Sequence, residues 1–249
     1  MDATGQTDDF VDARLREHIL TPLSVAERSV KVEYAEIDAE HQAFVEFEKR
    51  VASVDTTATS QSVSAQQSVS AQARHVRLIE SHSRGNERLR NAFRETVMSV
   101  DHYKRTYGES LIKHAAAELT PNVAAVLQRG TATAFTEWYK TRLTSAIENA
   151  IDRRETVLNQ LDTERASLDT SRATLYGIIS SYQGTHIPGR CKNDFETRLN
   201  ELAQTRQETL QGRTYSSQVD SQGLCEYLYR DHEWTYPVLI AITRFCRSM

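Results

Sequence analysis

The stretch IENAIDRRETVLNQLDTERASLDTSRATLYGIISSY, residues 147–182, decides the fold. Through it runs a ladder at alternating spacings of three and four: Ile147, Ile151, Arg154, Leu158, Leu161, Arg165, Leu168, Arg172, Leu175, Ile179 and Tyr182. A mean spacing near 3.5 residues lays one stripe along a helix and asks for a partner helix to cover it. A second ladder lies upstream at Leu23, Val30, Ile37, Phe44 and Val51, seven residues apart. Its companion position holds Ala26, Phe47 and Val54, with Glu33 and Glu40 interrupting. Both ladders predict an all-α chain: an elongated antiparallel helical bundle or coiled coil, with a small helical head and a short C-terminal helical hairpin.

Composition agrees. Among 249 residues there are only 9 glycines and 4 prolines, the two residues that interrupt helices. The net charge is -4 with both signs mixed along the chain, which argues against a nucleic-acid partner. Arginine outnumbers lysine 24 to 6, a bias common in GC-rich genomes. Three cysteines, Cys191, Cys225 and Cys246, are too few and odd in number for a secreted disulfide framework. The start, MDATGQTDDFVDA, lacks the basic and apolar regions of a signal peptide, and no apolar run is long enough for a membrane span. A cytoplasmic protein is the expectation.

Along the chain, residues 1–20 read as a mobile leader. Residues 21–100 read as an N-terminal helical hairpin, opened by Thr21 as cap, Pro22 in the first turn and a Ser24/Glu27 capping box. The tandem hexapeptide within 55–72 (Gln61–Gln66, repeated at Gln67–Gln72) matches no helical seam and reads as the connecting tip. Residues 101–130 read as a head of short helices, with Ser110 and Thr120 as caps and Gly130 as terminator. Residues 131–211 read as one long helix, roughly 75 Å at 1.5 Å per residue, and an antiparallel return helix carrying Phe195, Leu199, Leu202, Arg206 and Leu210. Residues 218–249 read as an aromatic module of Leu224, Tyr227, Leu228, Trp234, Tyr236, Leu239, Ile242 and Phe245, started on its final helix by Pro237 and docked near the head.

Chemical motifs are scarce. No phosphate-binding loop, nucleophile elbow or close-spaced metal-ligand pair occurs, so no catalytic, cofactor or metal residue is assigned. The best metal constellation, His186 and Cys191 with Cys225 and His232, has spacings outside common zinc patterns, and half-buried packing of the cysteines is the preferred reading. Arg154, Arg165 and Arg172 stand at ladder positions. Either their heads reach water along the seam, which is favoured, or they pair with acids of the first ladder such as Glu33, Glu40 and Glu48.

Four strings carry a resemblance: RNAFRETVMSVDHYKRTYGESL (90–111), AAELTPNVAAVL (116–127), RRETVLNQLDTERASLDTSRATL (153–175) and CEYLYRDHEWTYPVL (225–239). Together they resemble an uncharacterised coiled-coil family of haloarchaea known only as a domain of unknown function. The resemblance implies no catalytic residues. The functional expectation is therefore a non-enzymatic scaffold that binds a protein partner or a second copy through its helical seams. The alternative is a sensor or accessory protein that takes a metal or small ligand through the C-terminal Cys/His/aromatic module.

Overall fold

The computed structural model describes residues 3–56, 84–128, 135–183, 189–211 and 221–248. The described residues form helices and turns, with no strand among them. The helices are α1 (Ala3–Ala52), α2 (84–95), α3 (Tyr103–Thr106), α4 (Leu111–Leu119), α5 (Pro121–Ala124), α6 (Glu137–Gln183), α7 (Gly189–Gln211), α8 (Ser221–Leu228) and α9 (Pro237–Ser248). The hexapeptide tip, the start of the second helix at Arg74, Gly130, the GTHIPG turn up to residue 188 and the gap at 212–217 fall outside the described residues.

The chain divides into two compact units. The first joins residues 1–35 to residues 158–249. Here Leu23, Ala26 and Val30 of α1 are buried, as are Leu161, Leu168, Leu175 and Ile178 of α6. The two helices run antiparallel, since Arg16 reaches Tyr176 and Glu27 pairs with Arg172 at 2.6 Å. Helix α7 returns along α6, with Phe195 against Tyr182 at one end and Arg206 against Glu164 at the other. Its predicted ladder is buried at Phe195, Leu199, Leu202 and Arg206.

The second unit is residues 36–157. Phe44, Phe47 and Val51 of α1 pack with Leu89 and Phe93 of α2, Leu111, Ala115 and Leu119 of α4, and Leu143 and Ile147 of α6. Phe47 meets Phe93 edge-on at 5.2 Å. Burying each such side chain is worth about 1.5–3 kcal/mol. Ser110 caps α4 through Lys113 N, as expected. Gly108, at φ +57°, takes the left-handed conformation that ends α3.

Several expectations need correction. Residues read as a leader belong to α1, which starts at Ala3, and Ile19 and Leu20 are buried. Pro22 is therefore inside the helix and not at its first turn. Thr21 does not cap; its hydroxyl donates back to Glu17 O at 2.6 Å, as mid-helix threonines do. Thr120 makes no side-chain cap either, and takes φ 84°, an uncommon conformation for a β-branched residue. The C-terminal module docks within the first unit, against α1, α6 and α7, whereas the short helices expected beside it belong to the second. Pro237 does open the final helix, but Tyr227, expected in the module's core, is 46% exposed.

The long ladder is half in register. Positions 147, 154, 161, 168 and 175 are buried as read. The companion position sits one residue earlier, burying Ala150, Glu164, Ser171 and Ile178. That rotation turns Arg165 and Arg172 outward.

Candidate functional site

Three polar constellations stand out, two buried and one at the surface. In the second unit, Glu40 occupies a seam position of α1 and is buried. Its Oε2 accepts from Arg154 Nε at 3.0 Å and Nη2 at 2.9 Å. Its Oε1 accepts from the Tyr107 hydroxyl at 2.7 Å and stands 2.9 Å from His102 Nε2. Arg154 Nη1 bridges onward to Glu118 Oε2 at 3.0 Å and Ala150 O at 3.1 Å, and its guanidinium lies 4.3 Å from the Phe44 ring centre. The favoured reading, with the Arg154 head in water, is thus overturned, and the helix-one partner is Glu40. Arg172 pairs instead with Glu27, half-exposed, which the sequence had not suggested.

Burial works against the Glu118 carboxylate, but the Arg154 bond outweighs it and holds Glu118 below the ordinary carboxylate range. Burial, reinforced by Glu40, pushes the Tyr107 phenol far above its usual value, so it remains a donor. Beside it, His114 is enclosed by Phe93, Tyr103 and Tyr107. Desolvation lowers its pKa, and Glu109 at 4.0 Å is too far for a hydrogen bond.

In the first unit, Glu164 and Arg206 form a fork: Nη1 to Oε2 at 2.9 Å and Nη2 to Oε1 at 2.7 Å, both side chains almost wholly enclosed. Tyr229 donates to Oε1 at 2.9 Å, and Arg206 also donates to the Ser167 hydroxyl at 2.8 Å. Cys225 Sγ lies 3.6 Å from Arg206 Nη2. Burial, reinforced by Glu164, drives the Tyr229 phenol far up. Cys225 is thus a packed thiol at an ion pair. His232 is exposed and stacks on Trp234 at 4.7 Å. His186 and the Cys191 side chain lie outside the described residues. No group of three metal-ligating side chains occurs among the described residues.

The third constellation is a groove of about 430 Å³ on the first unit. One wall is α1, with Val25, Arg28, Ser29, Val32 and Glu33; the other is the end of α8 and the turn after it, with Tyr227, Leu228, Arg230 and Asp231. Tyr227 donates to Glu33 at 3.0 Å, and Arg230 lies 5.1 Å from the Tyr227 ring centre. Val32 is 58% exposed. Sequence reading missed this groove. Val25 and Val32 are seven residues apart on a second stripe of α1, but two valines do not announce a surface until the C-terminal turn is set beside them.

A family model described as "Domain of unknown function (DUF7260)" matches residues 21–249. The chain belongs to this family. The match takes in all three constellations, including every named residue of the groove. No curated protein and no solved structure matches the chain. No helix among the described residues is long and apolar enough to cross a membrane.

Proposed function

We propose that this chain is a non-enzymatic helical protein that works by binding another protein. The observation that carries the reading is how its ionisable core residues are used. Both oxygens of Glu40 and both of Glu164 are occupied by neighbours within the fold. Groups spent in this way are structural, whereas a general acid or base needs a path to substrate.

The seams, too, are filled from within. Leu23, Val30, Phe44, Leu161 and Leu168 are covered by the chain's own helices. Binding therefore falls to the outer surface, where Val32, Trp138, Tyr176 and Tyr227 are exposed. Cys225 is committed to the Arg206 neighbourhood, which weighs against a metal or ligand module at the C-terminus. A cytoplasmic setting, in haloarchaeal cells as the string resemblance implies, completes the proposal.

The test is solution mass by light scattering, with metal analysis of the same sample. A metal-free monomer of 28.3 kDa is expected. A dimer would return the assignment to self-association through the seams, and one metal per chain would favour the ligand-binding alternative.

A further inference from the structure

We propose that the groove between α1 and the turn after α8 receives an acidic amphipathic helix of a protein partner. This rests on the protein-binding reading above and assigns it a place and a chemistry.

The groove's α1 wall is itself helical. Val25 and Val32 stand two turns apart, about 10 Å at 1.5 Å per residue, with Arg28 and Ser29 between them. A ridge of this spacing accepts side chains of another helix at i, i+3 or i+4, and i+7. The opposite wall contributes Leu228 and the exposed ring of Tyr227, an aromatic of the kind enriched at binding hot spots. No strand edge exists among the described residues, so strand addition has no template there.

Charge selects the occupant. The groove's two acids are the less available charges. Glu33 accepts the Tyr227 hydroxyl, and Asp231 is 89% exposed, with its charge in water. The two arginines flank the apolar strip. Arg28 Nε is bonded only to its own helix at Ser24 O, 3.2 Å away, and Arg28 takes part in no printed ion pair. Arg230 stacks on Tyr227, and its approach to Asp231 is long at 3.9 Å. Guanidinium groups placed beside an apolar strip suit carboxylates on the flanks of an apolar helix face, with forked hydrogen bonds to each.

The probe is a fluorescein-labelled 15-residue helix with Leu at i, i+3, i+4 and i+7 and Glu on the flanks, against a twin with Lys for Glu. Fluorescence polarisation with the full chain should show the acidic peptide binding more tightly, with affinity falling as salt rises. Val32→Arg and the pair Arg28→Glu with Arg230→Glu should each weaken binding about tenfold or more. These positions are exposed, and unchanged circular dichroism verifies the fold. Equal binding of the two peptides, or binding indifferent to Val32→Arg, overturns the proposal.

A photo-crosslinking residue at Val32, compared with one at Trp138 and one at Tyr176, separates the two levels of the argument. Protein adducts at Trp138 or Tyr176 but not Val32 overturn the groove and leave the protein-binding reading standing. No adduct at any position overturns both. An adduct of twice the chain mass at Val32 assigns the groove to a second copy, and so overturns the acidic helix.

Discussion

The two buried ion clusters make opposite uses of one arginine and its acids. Arg206 faces a single carboxylate and meets it as a fork, one nitrogen to each oxygen of Glu164. Arg154 presents two nitrogens to one oxygen of Glu40 and turns the third to Glu118. The fork is a closed pair joining α6 to α7, with Tyr229 drawn in from just beyond α8. The bridge is an open chain: α1, α6 and α4 meet at Arg154, and His102 and Tyr107 extend it. A closed pair fixes one geometry strongly. An open chain ties together more elements, but partly exposed members such as Glu118 weaken it.

The largest effect should come from breaking the fork. Arg206→Ala leaves Glu164 buried without its cation and should cost about 3–5 kcal/mol in denaturant unfolding. Arg206→Lys should rescue little, because an ammonium cannot make the two-point contact. Replacing both partners, Glu164→Leu with Arg206→Met, should recover most of the loss, since an apolar pair leaves no stranded charge. If the double variant is as unstable as Arg206→Ala, the fork supplies more than charge compensation. Arg154→Met should cost less, about 3 kcal/mol, because Glu118 can turn to water and Arg153 Nη2 already stands 3.4 Å from it. Hydrogen exchange should place that loss in residues 36–157.

Acid should separate the clusters further. His114 is held below its ordinary value near 6.5, so the unfolded chain takes up a proton there before the folded one does. Its contribution is present above that value and is lost as pH falls below it. Glu118, also held low, adds a loss at more acidic pH through the same sign. Between pH 7 and 5 the Tm of the second unit should therefore fall, and His114→Phe should flatten the slope. No histidine joins the described contacts of the Glu164 fork, so exchange protection around Arg206 should hold over that window. On the alkaline side the clusters should behave alike. Tyr107 and Tyr229 both have raised pKa values, so stability falls once the unfolded phenols ionise above about pH 10.

The same contrast explains what could be read from sequence. The α1 ladder was legible because apolar letters hold both of its positions, and Glu40 was visible as an interruption. Its meaning, a carboxylate serving Arg154, was half-visible, since the helix-one acids were named as partners. The Glu164 fork was not. At that position of α6 the true seam runs through Ala150, Glu164 and Ser171, while Ile151, Leu158 and Ile179 one residue later look more apolar. A seam residue need not be apolar when another helix brings it a counter-ion, and the one supplying Glu164 lies 42 residues away on α7. Tyr107 and His102 escaped notice for a similar reason: short helices whose turns depend on Gly108 aim them at Glu40, and no periodicity records that.

The smallest effect tests how the C-terminal helix is held. Pro22 has no N–H, so the carbonyl four residues earlier, His18 O, loses its helical donor. Arg244 of α9 supplies one, with Nη1 at 2.9 Å. A helix defect in α1 has thus become an attachment point for a helix more than 220 residues later in the chain. Arg244→Ala should cost about 1 kcal/mol by thermal unfolding, the usual net worth of a hydrogen bond, since the site is exposed. In a Pro22→Ala background the new N–H can bond His18 O directly, so Arg244→Ala should then cost close to nothing. The difference between the two backgrounds measures the coupling. Equal losses in both would mean that Arg244 holds α9 by packing its stem on α1, and that the proline carbonyl is satisfied by solvent.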